Sequence, residues 1–556
     1  MLISAEARWF WPDTPPHGLE DWFCGARDSS CAAGGGEPRE DEYLRDPGQV
    51  ELGVKRRGGK AGVEVKGLVA VTWGGLAVGP FVGPIELWVK WTSKPLELKP
   101  GSTVAISKVR WLRKFDTTAP RPLEIPLDPN EGWNAYFAQL AARTGSPYPP
   151  AGGLLVNNYP PLSFYLIGEI SRLTGDAIIT GRLISLLALG VLSYGILRAA
   201  RLMGCSTPKA SFAALLFIAC LLLTSDYVAM DDPQLLGHAV AIWGLVAVLR
   251  APSSPRSMVI AALLLTIAFF IKHNLVFLPL TLALWLMLAN RRSAFTFVAA
   301  GTVFLLIGLG LFRDAFGTDL FRQLASSRTY SLANVASALV NWMPWAAVPL
   351  CGAFTLYLIA RRERDARLAL IYAVAAIVGG LLFSSGAGVD ANAMFDADIA
   401  LVLCAALLLD RLDRELWIVV AAILYVVPLG LLLRNVDGDW TNFPYWLHPM
   451  ADERREATSE ILLLRSSPEP VLCEMLSLCY WAGKTAEVDV FNIDQRIRAD
   501  IRSEVPLVRM IETRRFAMVE LEVLKPFPIA GEAEQALMRN YEIVRRDDER
   551  VFLSPR

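Results

Sequence analysis

Asp128-Pro129-Asn130-Glu131-Gly132-Trp133-Asn134 opens a stretch that runs on through Tyr148-Pro149-Pro150 and Asn157-Asn158-Tyr159-Pro160-Pro161. It closes at Gly181-Arg182, inside a hydrophobic run. Paired prolines fix the backbone and restrict the residues before them, so the stretch reads as an ordered loop rather than a flexible linker. Apolar segments lie on both sides of it, which puts it at a membrane surface.

Outward from that loop, composition sets the class. The 556 residues are 53% hydrophobic and 20% charged, with a mean hydropathy of +0.37, too apolar for a soluble protein of this size. Hydrophobic runs of roughly 16–25 residues recur from about Gly67 to about Leu433, near the length that crosses a bilayer core. They lack the period-2 alternation of a membrane barrel, so the expected fold is mainly α, a polytopic bundle of transmembrane helices. A net charge of −1 argues against a nucleic-acid partner. The four histidines and eight cysteines form no cluster at zinc-ligand spacing.

Taken in order, residues 1–66 carry Gly34-Gly35-Gly36 and Lys55-Arg56-Arg57 without a useful period. They are expected to be poorly structured, and a misassigned start would explain them. The run from about Val65 to Trp91 is a doubtful first helix, interrupted by Gly74, Gly75, Gly79, Pro80, Gly83 and Pro84. The transmembrane domain is placed at 67–433, with its first outer loop at 92–176. Spans are expected at about 178–198, 209–226, 234–250, 257–271, 274–290, 294–312, 335–360, 367–384, 394–410 and 415–433, ten or about eleven in all. Arg198/Arg201/Lys209, Arg250/Arg256, Arg291/Arg292, Arg361/Arg362/Arg364/Arg367 and Arg411/Arg414 fall on alternate turns, which makes those turns cytoplasmic. Residues 434–556 read as a small extracytoplasmic α/β domain, with strand-like Val488–Phe491 and Phe516–Leu521 and helix-like Ile493–Arg502. Cys473 and Cys479 lie in it, as a disulfide or as two buried thiols.

Several outer residues have the chemistry of a site. Asp128 and Glu131 can divide acid–base labour, or they are an Asp-Pro turn followed by helix-start acids near the N-terminal dipole. Asp231-Asp232-Pro233-Gln234 stands at a span entrance, where acids are costly unless they face a polar cavity; an Asp-Pro helix start is the plainer reading. Lys272 suits a phosphate or snorkels at a helix end. Asn392 and Asp396, four apart beside Asp390 and Asp398, should face the protein interior. Arg328 and Tyr330 are weaker candidates, and Trp342 and Trp345 read as an interfacial belt.

The acidic pair followed by an aromatic, then Tyr159-Pro160-Pro161-Leu162-Ser163-Phe164-Tyr165, Arg172-Leu173-Thr174-Gly175-Asp176 and Gly181-Arg182-Leu183, resembles the first outer loop of the GT-C glycosyltransferases. The closest likeness is to protein O-mannosyltransferases and lipid A aminoarabinose transferases, over about residues 124–433. The resemblance implies a polyprenyl-phosphate-linked sugar as donor, a hydroxyl acceptor of the cell envelope, and a bacterial inner membrane with the C-terminal domain outside. It implies a loop carboxylate as base, with Asp128 favoured and Glu131 as its orienting or metal-facing neighbour. Much of that family has adjacent Asp-Glu, whereas here Asn130 precedes Glu131. Lys272 and Arg182 would hold the donor phosphate, and Asp232, Tyr159, Asn392 and Asp396 would bind substrate. A divalent cation stays open as cofactor.

No phosphate loop or Gly-x-Ser-x-Gly elbow occurs, which removes nucleotide-driven pumps and disfavours nucleotide-sugar donors. A transporter or flippase is one rival, weakened by the lack of an internal repeat. A catalytically inactive binder of lipid-linked sugar is another.

Overall fold

The computed structural model describes six strands between residues 2 and 115, and residues 124–149, 152–224, 226–324, 328–435, 450–499, 501–523, 531–547 and 549–556. The chain forms two compact units, one of residues 127–443 with 488–503, the other of 1–126 with 444–487 and 504–556.

The first unit is helical. Ahead of the spans lie α1 (Pro129–Thr144) and α2 (Leu162–Thr174), both in the expected outer loop. Asp128 caps α1, its Oδ1 accepting from the Asn130 backbone N–H at 2.7 Å, with Pro129 at the first helical position and Gly145 closing the helix in the left-handed region. The ten expected spans appear as α3 (Ala177–Leu202), α4 (Thr207–Leu221), α5 (Gln234–Arg250), α6 (Pro255–Ile271), α7 (Phe277–Ala289), α8 (Arg291–Phe316), α9 (Leu332–Ala360), α10 (Arg364–Ser384), α11 (Phe395–Leu409) and α12 (Arg414–Asn435). Six helices are long and apolar enough to cross a membrane, whereas α4 to α7 are only 13 to 17 residues long.

Burial sorts these helices by position. Every residue of α11 is buried, so it forms the centre of the bundle. On α8 the buried residues are confined to Ser293, Ala294 and Phe297, and Phe295, Val303, Leu306, Ile307 and Leu311 are exposed. An apolar surface of that extent on a span belongs against lipid.

The second unit departs from expectation at its N-terminal end. Strands β1 (Leu2–Trp11), β2 (Glu37–Leu44), β3 (Leu52–Arg57), β4 (Gly62–Val78), β5 (Phe81–Pro95) and β6 (Thr103–Phe115) close a barrel in the order β1-β5-β4-β3-β2-β6. The doubtful helix at 65–91 is therefore a hairpin, pairing Val78 with Phe81 and Val65 with Trp91. Gly74 and Gly75 weaken a helix and fall where the register of this pair shifts, between Thr72 and Leu76. Gly34-Gly35-Gly36 lies outside the described residues.

The C-terminal part of this unit is α/β. Strands β7 (Val471–Cys473), β8 (Met518–Glu522), β9 (Tyr541–Arg546) and β10 (Arg550–Pro555) form a sheet of order β7-β8-β10-β9, with β7 parallel to β8 and the rest antiparallel. Cys473 and Cys479 are disulfide-bonded. Val488–Phe491 is not a strand: Asp489 caps the helix Val490–Arg498, and this segment belongs to the helical unit.

Candidate active site

The expected outer connections converge on one polar cavity of about 340 Å³. Its walls come from α1, the Pro-rich loop, the entrance to α5, the turn after α6, the loop before α9, the loop before α11, and the segment after Asp489. The cationic turns gather elsewhere: Arg411 pairs with Glu363, and Asp410 accepts from the Ser206 N–H.

Lys272 is the charged centre of the cavity. It follows the last turn of α6 and is 4% exposed, so it does not snorkel. Its Nζ lies 3.0 and 3.2 Å from the two oxygens of Asp232 and 3.7 Å from the ring centroid of Tyr159. Burial pushes the ammonium pKa down, but Asp232 and Tyr159 outweigh it and hold the group above its ordinary range. Asp232 also caps α5 by accepting from the Gln234 N–H at 2.7 Å.

Tyr159 is held in place by its loop. Its N–H donates to Asn157 Oδ1 at 3.0 Å, its carbonyl accepts from the Tyr148 hydroxyl at 3.0 Å, and Asn157 Nδ2 donates to the Pro147 carbonyl at 2.9 Å. Trp133 packs edge-on against Tyr159, Phe137 and Phe164, and its indole N–H is shared by Val156 O and Asp489 Oδ2. Of the aromatics between Tyr159 and Tyr165, only Tyr159 faces the cavity.

Glu131 and Arg182 are not in its lining. Arg182 Nε and Nη2 donate to Glu131 Oε1 and Oε2 at 2.7 and 2.6 Å, and Glu131 is fully buried. Glu131 also accepts from the backbone N–H groups of Leu127 and Asp231, each at 3.2 Å. The pair joins α1, α3 and the entrance to α5. Gly181, next to Arg182, is dictated by space, since a Cβ there would collide with the Asp231 carboxylate.

Asp128 is half-buried at the α1 cap, beside the cavity that Asn130 and Trp133 line. Burial pushes its pKa up to about 6; the hydrogen bonds from Asn130 oppose this, and the Asp232 and Asp390 charges add to it. Asn392 lines the cavity, whereas Asp396 is buried in a separate network, accepting from the Tyr372 hydroxyl with His238 Nδ1 at 3.9 Å. The i,i+4 spacing fails because Asn392 sits in a tight 3-10 turn (Ala391–Met394) that precedes α11. Trp342 and Trp345 are not an interfacial belt. Both are buried, and the Trp342 indole donates to Asp398 at 2.8 Å.

Three cavity residues had little or no signal in the sequence. Arg328 donates to the Ala387 carbonyl at 2.7 Å and has no carboxylate partner among the described residues. His273 lines the wall, with its pKa lowered to about 4 by burial and by the Lys272 and Arg328 charges. Asn492 arrives from a segment more than 340 positions after α1, and no motif marks it. Among the described residues, one group of three acids could surround a metal ion, Glu456, Glu460 and Asp547. It lies in the other unit, with Arg550 and Arg545 already paired to Glu460 and Asp547.

The helical bundle, with buried acids and cations gathered around a polar cavity, is similar in fold to proteins of known structure. Residues 158–312 match the family model described as dolichyl-phosphate-mannose-protein mannosyltransferase. That segment supplies Tyr159, Arg182, Asp232 and Lys272. The chain is similar to ArnT from Cupriavidus metallidurans bound to undecaprenyl phosphate, with a TM-score of 0.51 and 16% identity over 78% of this chain and 95% of that one. It is likewise similar to the same protein in the apo state, with a TM-score of 0.50 and 15% identity over 76% of this chain and 93% of that one. At that identity the likeness is one of fold. No curated protein sequence matches the chain.

Proposed function

We propose that the chain is a membrane glycosyltransferase that moves a sugar from a polyprenyl-phosphate carrier to a hydroxyl acceptor. The observation that carries this reading is the cavity itself, where Lys272, Arg328 and His273 stand opposite Asp232, Asp390 and the nearby Asp128. Two supports come from outside the cavity: the family match over 158–312, and the undecaprenyl phosphate bound to the similar ArnT.

In the proposed step the acceptor hydroxyl gives its proton to Asp128 as its oxygen bonds to the anomeric carbon. The bond from that carbon to the phosphate oxygen breaks, and polyprenyl phosphate leaves with the electron pair. A carboxylate with a proton affinity near 6 is ionised at neutral pH and still basic enough to help. Arg328 and Lys272 stabilise the departing phosphate, and Arg328 is the stronger candidate because Lys272 is already neutralised by Asp232. Tyr159 and Asn392 would contact the sugar. We expect transfer to survive chelation with EDTA, because Asp232 and Glu131 are committed to Lys272 and Arg182. We place the cavity on the outer face of a bacterial inner membrane, opposite the arginine-rich turns.

The test is transfer from a panel of radiolabelled polyprenyl-phosphate sugars by detergent-purified protein, with membrane lipid and glycan as acceptors. Turnover by wild type and its loss in Asp128→Asn, with donor binding retained, is the expected result. A folded wild type that turns over no donor would overturn the reading.

A further inference from the structure

A second cavity, of about 610 Å³, adjoins the first. The two share Gly386, Gly388, Val389 and Asp390, so a single loop forms the wall between them. Its shape is fixed locally. Gly388 has φ +69°, and a Cβ there would strike Phe491. Asp390 caps the turn at 391–394 and accepts from the Tyr227 hydroxyl at 3.1 Å.

The second cavity differs from the first in charge. Among the described residues no lysine, arginine or histidine lines it, while Asp390 and Asp398 both do. A phosphate-bearing donor would meet the Asp390 carboxylate there and no described cation, at the low dielectric where repulsion is strong. Hydroxyl groups would meet acceptors.

One wall is a polar row on a membrane helix. Asn334, Ser337 and Asn341 follow one another along α9 at helical spacing, and Ser337 and Asn341 are exposed into the cavity. Polar side chains on a span turn toward a cavity or a partner, because bare lipid offers them nothing. The other wall is apolar, with Trp345, Phe395 and Leu431. Val340 lines the cavity while 70% exposed, on a stretch of α9 where Leu339 and Met343 are exposed too, so the cavity opens toward lipid.

We propose that this second cavity is the acceptor site and that the acceptor is a membrane-embedded lipid with an uncharged, hydroxyl-bearing headgroup. Its hydroxyls face Asn341 and Asp398, its apolar anchor leaves past Val340, and the reacting hydroxyl passes the Asp390 loop to reach the donor. This deepens the transferase reading and rests on it.

The test uses the full-length protein, with a photo-crosslinking residue at Val340 in native membranes and, in parallel, Asn341→Leu with Asn341→Gln as the conservative control. The probes are a polyprenyl-phosphate sugar as donor and total membrane lipid as acceptor. The crosslinked species should be a hydroxyl-bearing lipid without an isoprenoid chain. Asn341→Leu should raise the apparent KM for acceptor on the order of tenfold, the scale of one lost polar contact, with the donor KM unmoved and the Gln variant near wild type. An isoprenoid adduct, a shift in donor KM, or product in the water-soluble or protein fraction would overturn the acceptor assignment alone. Absence of transfer by wild type to every fraction would sink the transferase reading and this inference with it.

Discussion

Arg182 holds Glu131 with two hydrogen bonds, at 2.7 and 2.6 Å, and the carboxylate it holds is fully buried. Removing one partner of such a pair strands the other charge, which costs about 3–5 kcal/mol. Arg182→Ala should therefore lower the thermal unfolding midpoint in detergent and cut the yield of folded protein. A variant with unchanged stability and reduced donor affinity would return Arg182 to the phosphate site.

Gly181 tests the same junction sterically. A Cβ on it would meet the Asp231 carboxylate, and overpacking of this kind costs about 1–3 kcal/mol. Gly181→Ala should be destabilised by that order, and Gly181→Ala combined with Asp231→Ala should recover much of the loss in thermal melts.

The adjacent acids Asp231 and Asp232 should behave differently. Among the described residues neither side-chain oxygen of Asp231 has a hydrogen-bond partner, and burial, then the Glu131 and Asp232 charges, push its pKa well up. Asp231→Asn keeps the shape of a side chain that holds no described ion-pair partner and should keep most of the activity. Asp232→Asn removes the counter-ion of buried Lys272 and should reduce transfer at least about tenfold. Side-by-side kinetics of the two variants check this, and equal losses would contradict it.

The pH profile should carry the signature of Asp128. Its pKa is raised from 3.8 to about 6, so the base form, and with it the rate, should rise as pH increases through 6. The stability sign is opposite. Between those values the folded protein keeps a proton that the unfolded chain releases, so stability contributed below that window is lost as pH rises through it. Asn caps a helix as well as Asp does, so Asp128→Asn removes the charge without removing the cap. It should abolish transfer and flatten the stability change between pH 4 and 6.

Arg328 offers the cleanest test of phosphate binding. Its described contact is to a carbonyl, not a carboxylate. Arg328→Gln should leave the melting temperature near wild type while weakening binding of undecaprenyl phosphate on the order of tenfold, the scale of one charge-assisted hydrogen bond. Titration calorimetry or native mass spectrometry would measure it.

The sequence by itself determined the bundle, because lipid forces each apolar run to satisfy its own backbone, and a helix is how a single segment does so. It also marked Lys272, Asp232 and Tyr159, since a charge or a Pro-fixed aromatic at the end of an apolar run has few purposes. It could not give the pairing. Glu131 and Arg182 are 51 residues apart, and only the packing of α1 against α3 shows that they pair with each other. Asn492 was illegible and Arg328 only a weak candidate for the same reason: their place depends on which distant loops meet. The N-terminal strands were missed because a barrel is a set of non-local pairings, such as Ala5 with Phe115, that no local period records. Local chemistry fixes helices, caps and turns within a few residues of chain, whereas the charge balance of a site is a sum over everything the tertiary structure brings within a few ångströms.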